Sequence, residues 1–68
     1  MKLDETELAN AMVMAFLIEA AKGDDAELHI AERVAYHDRR GDQRSSRFWT
    51  AVAYKLADIL EARCGKTN

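Results

Sequence analysis

The chain contains no proline, and its three glycines stand at positions 23, 41 and 65. Proline and glycine are the usual punctuation of turns, so a fold of many short strands lacks its corners here. What remains between the glycines is a set of proline-free blocks of helical length. The pattern predicts an all-α chain. With 68 residues it can organise one hydrophobic core and therefore one domain, spanning 1–68. Apolar residues at 49% and charged residues at 32% set it apart from sequences too polar to fold.

Each block carries its own start and stop signals, and three helices are predicted, at about 4–22, 24–40 and 43–64. Asp4 and Glu7 have the spacing of a reciprocal capping box, and Lys22-Gly23 has the character of a helix end. Twelve of the fourteen residues from Leu8 to Ala21 are apolar, and Asn10 and Glu19 fall on opposite sides of the helical wheel. A helix apolar all round must be covered all round, which places helix 1 at the centre of a compact three-helix bundle. In the second helix, Asp24 and Glu27 repeat the capping-box spacing. Ala26, Leu28, Ile30, Ala31, Val34 and Ala35 form its inward arc, with His29, Glu32, Arg33 and Tyr36 outside. The third helix is capped by Asp42, Ser45 or Ser46, a choice that decides whether Arg44 and Arg47 lie in a loop or in a first turn. Its stripe of Trp49, Val52, Ala53, Leu56, Ile59 and Leu60 faces the core, with Trp49 against helix 1 and Phe48 at the edge.

Charge is divided along the chain. Residues 1–32 hold eight acidic and two basic side chains, a net of −6, and residues 33–68 hold eight basic and four acidic, a net of +4. Helix packing brings the halves within a Debye length of about 8–10 Å, so mutual complementation is the simplest reading. The alternative is that Arg39, Arg40, Arg44 and Arg47 form a charged surface that meets a partner.

The sequence offers no catalytic arrangement. Ser45, Ser46 and Cys64 have no histidine or acid in a recognised context, His29 and His37 belong to no catalytic signature, and there is no glycine-rich phosphate loop. A non-enzymatic protein without cofactor or small-molecule substrate is expected. His29 and Glu32, one turn apart with Tyr36 beyond them, have the spacing of two metal ligands, but a zinc site needs three or four. The expectation is a solvated polar face and no metal. A lone Cys64 forms no internal disulfide, which suits the reducing cytoplasm. The apolar stretch of helix 1 is shorter than a membrane span, and Asp4, Glu5 and Glu7 precede it where a secretory signal requires positive charge. Neither membrane nor targeting segment is expected.

Function is therefore sought in surface contact. A three-helix monomer covers two sides of helix 1 and leaves Met14, Leu17, Ile18 and Ala21, which cluster within about 100° of the wheel, to face water or another chain. These four predict self-association as a homodimer, since one patch then serves both partners. The leading expectation is a cytoplasmic protein–protein interaction or regulatory module. A nucleic-acid-associated regulator using Arg39 to Arg47 is the alternative. Against it, the connection from Gly41 to Ser46 exceeds the turn of a helix-turn-helix, and the chain is net negative. A phage-type inhibitor of the anti-CRISPR kind, occupying a partner's surface, is a third reading.

His29-Ile-Ala-Glu-Arg33, then Gly41-Asp42, then Trp49 followed by Val52, Leu56 and Ile59, resembles a family of short uncharacterised bacterial helical proteins over about residues 8–60. The resemblance implies an apolar helix, a second helix, a Gly-Asp turn and a Trp-bearing amphipathic helix. It implies no activity and no site residue.

Overall fold

A computed structural model of the chain describes residues 4–63. Among them only Asp4, Arg40, Gly41 and Asp42 lie outside helix, and no strand occurs. The chain is all-α.

Helix α1 spans Glu5–Lys22. Its capping box is formed as expected: the Asp4 carboxylate accepts from the Glu7 amide at 2.8 Å, and the Glu7 carboxylate accepts from the Asp4 amide at 3.3 Å. Gly23, at φ +56°, ends the helix by donating its N–H to the Glu19 carbonyl. One 3₁₀ turn, Gly23–Asp25, leads directly into α2, Ala26–Arg39. The predicted Asp24 and Glu27 box does not open α2: Asp24 lies within the 3₁₀ turn, the Ala26 amide donates to the Gly23 carbonyl, and no side chain caps α2.

After α2 the amides of Arg40 and Asp42 both donate to the His37 carbonyl, and Gly41 turns the chain at φ +75°. Helix α3, Gln43–Arg63, is capped by Asp42, whose carboxylate accepts from the Ser45 amide at 3.1 Å. That selects among the three candidate caps and puts Arg44 and Arg47 inside the helix. Cys64, given as the end of this helix by the sequence, lies outside the described residues.

Helices α1 and α3 run in the same direction, tied at one end by Arg44 to Glu7 at 3.1 Å and at the other by Arg63 to Glu19. Helix α2 runs back, so that the Ser46 hydroxyl meets the Asp38 carboxylate at 3.4 Å near its end. Both α1 and α2 pack along α3 and touch one another far less. The architecture is a bent helical arm, Glu5–Arg39, folded along α3, and the shared element is α3 rather than helix 1. Total apolar content had pointed to helix 1. Shape decides otherwise: α3 carries Val52, Leu56 and Ile59 into the buried cluster, α2 adds Ala26 and Ile30, and the fully buried residues of α1 are the small Ala11 and Ala15, with Met12, Met14 and Ile18 partly buried against the cluster. Alanine lets the α1 backbone approach α3 closely along one side, and the opposite side of α1 is left uncovered.

Trp49 is half-buried at the edge of this core rather than enclosed against helix 1. Its ring stands edge-on to His29 at 6.4 Å and to Phe48 at 5.9 Å, and the Arg33 guanidinium lies 5.6 Å from its centroid. His29 and Arg33, assigned to an outward polar face of α2, are thus the groups that cover it.

Candidate protein-binding face

With Ala11 and Ala15 against α3, the roughly 100° advance per residue sends Ala9, Val13, Phe16 and Ala20 to the opposite side of α1. All four are exposed. They recur at intervals of four, three and four residues, the spacing by which one helix presents a seam to another. Leu17 extends the stripe on one flank, and exposure reaches 56% at Val13, 49% at Phe16 and 58% at Leu17.

On its other flank the stripe runs through Phe16 into an open groove of about 410 Å³ between α1 and α3. Met12, Phe16, Ile59 and Ala62 line it, with Asp58 and Arg63 among its walls. The Arg63 guanidinium is held by Glu19, so the groove is apolar along its floor and ionic at one end.

The predicted self-association residues divide between core and surface. Leu17 and Ala21 are exposed, whereas Met14 and Ile18 are partly buried and pack against the core cluster. The outward face is consequently rotated from the predicted arc and centred on Val13 and Phe16, which that arc does not include. The interval of four, three and four in Ala9, Val13, Phe16 and Ala20 was the available signal. A helix apolar on every side cannot be oriented until its neighbour is known.

The four predicted arginines are all exposed, at the end of α2, in the turn after it and at the start of α3, and Arg40 and Arg44 have partners within the chain. Arg39 is exposed in the last turn of α2. Arg40 lies over the Tyr36 ring at 5.4 Å, with Arg33 at 5.6 Å from the same ring. Arg44 is paired with Glu7, and Arg47 is exposed one turn further along α3. Asp38 and Asp42 stand among them. The Asp42 carboxyl is held below the usual aspartate range, chiefly by the Ser45 amide and hydroxyl, with His37 at 3.5 Å adding a smaller contribution. The two long-range ion pairs join the acidic first half of the chain to the basic second half, which is the complementation its charge division suggested.

Among the described residues, no three potential metal ligands converge, and no helix is long and apolar enough to cross a membrane. Comparisons with protein-family models, with characterised proteins and with solved structures each return no match.

Proposed function

We propose that the chain is a small non-enzymatic protein–protein interaction module of the cytoplasm, a three-helix bundle organised on α3 that presents the outer face of α1 to a partner. One observation carries this reading: Val13, Phe16 and Leu17 lie exposed side by side with Ala9 and Ala20. A contiguous apolar surface that continues into a groove marks an interaction site, whereas single exposed apolar side chains are ordinary. Leu28 on α2 and Tyr54 on α3 are of the second kind. Protein contact is favoured over nucleic acid because the arginine segment is interleaved with Asp38 and Asp42 and has Arg44 neutralised by Glu7. Phosphate affinity scales with the cations free to replace counterions.

A photo-reactive amino acid placed at Val13 in living cells tests the proposal, with the same group at Tyr54 as control. Discrete covalent adducts from position 13 and none from position 54 are expected. Equal labelling from both positions, or none from either, refutes the proposed face.

A further inference from the structure

We infer that the occupant of the α1 face is a second copy of this chain, docked antiparallel about a twofold axis that passes between Val13 and Phe16. The inference rests on the interaction face proposed above and adds the identity and orientation of the partner.

Apart from Leu17 on its flank, the stripe is palindromic in size. Ala9 and Ala20 stand equally far from its midpoint, as do Val13 and Phe16, so the order along the helix is small, large, large, small. An antiparallel twofold sets each Val13 against the partner copy's Phe16 and each Ala9 against the partner copy's Ala20. The bulky side chains then fill the middle, and the alanines allow the helix ends to close. A parallel pair sets Phe16 on Phe16 and Val13 on Val13, which leaves unequal layers along the seam. A face whose own reversal is its complement is the property an isologous interface requires.

Charge selects the same orientation. Of the described residues, those toward the α1 start (4–13 and 33–51) hold five arginines and five carboxylates. Those toward the far end (14–32 and 52–63) hold seven carboxylates and three cations, a net of −4. A parallel pair sets the two acidic ends side by side. An antiparallel pair sets each acidic end beside the partner's electrically balanced end, which avoids that repulsion.

The test joins sedimentation with exchange of partners. The wild-type chain should sediment as a dimer over a micromolar concentration series. Val13→Glu and Phe16→Lys, each at a solvent-facing position, should each weaken pairing by about tenfold or more, and an equimolar mixture of the two should recover the dimer. In a Cys64→Ser background, a mixture of Ala9→Cys and Ala20→Cys chains under thiol exchange should give the mixed disulfide dimer in excess over either self-linked dimer. Predominant self-linked dimers overturn the antiparallel arrangement, and they do so even where a charged variant loses its fold. A wild-type monomer throughout the series overturns the second copy. If Val13 still cross-links to a different protein in cells, the interaction face survives and only its occupant changes. If Val13 captures nothing, both readings fail.

Discussion

Asp42 shows how much one side chain settles. It caps α3 through the Ser45 amide, and the same hydrogen bonds hold its carboxyl below the usual aspartate range. A depressed native value means that the ionised form supports the fold. The contribution is present above the unfolded value of about 3.9 and is lost as pH falls through the lower native value. Asp42→Asn, which can still cap the helix, should therefore flatten the decline of the thermal midpoint below about pH 4, as read by circular dichroism across an acid series. An unchanged acid profile would detach the cap from that decline. At Gly41 the determinant is backbone rather than charge. A β-carbon there meets nothing within 4 Å, so Gly41→Ala should cost about 1–2 kcal/mol from the φ of +75° alone, measured by denaturant unfolding. Trp49→Ala should cost about 2–3 kcal/mol, less than full truncation of an enclosed aromatic, because the ring is only half-buried and loses the edge contacts of His29 and Phe48 and the Arg33 guanidinium.

Among the elements, α1 carries the decisive contrast between two adjacent residues. Ile18 packs against the core cluster and Leu17 faces outward. Ile18→Glu places a carboxylate against apolar neighbours and should unfold the chain or lower its stability by several kcal/mol. Leu17→Glu should leave helicity and melting of the protomer nearly unchanged. Parallel thermal melts of the two variants check this, and the reverse order would show α1 rotated on its axis. The small core residues of α1 make a further demand: Ala15 is fully buried, so Ala15→Leu should overpack the α1 contact with α3 and destabilise by about 1–3 kcal/mol in the same melts.

For the molecule as a whole, the ion pairs of Glu7 with Arg44 and Glu19 with Arg63 fix which way α1 lies on α3 more than they stabilise it. Partly exposed pairs of this kind contribute up to about 1 kcal/mol each. Replacing both glutamates by glutamine should lower stability modestly at low salt and hardly at all at high salt, as urea titrations at two ionic strengths would reveal. The larger energetic feature is the uncovered side of α1. In a domain this small, a central helix contacts two neighbours and each outer helix contacts chiefly one. The element with the most apolar residues thus came to lie at the edge.

Helix existence, order and ends were legible in the sequence because glycine placement, proline absence and capping spacing act within one turn of chain. Asp4 with Glu7 and the stop at Gly23 could be read directly, and Asp42 was already among the candidate caps. The Asp24 and Glu27 box failed because the chain passes from α1 through a 3₁₀ turn, which takes Asp24 into that turn and moves the start of α2 to Ala26. Which helix is central, which side of α1 is covered, and whether Arg44 is available depend on contacts between residues far apart in sequence. Alanine at positions 11 and 15 fits closely against α3, while Val13, Phe16 and Leu17, equally apolar, remain outside. Composition and local pattern do not distinguish these groups. Only the packing of α1 on α3 does, because complementarity of shape between two helices is a property of neither sequence segment alone.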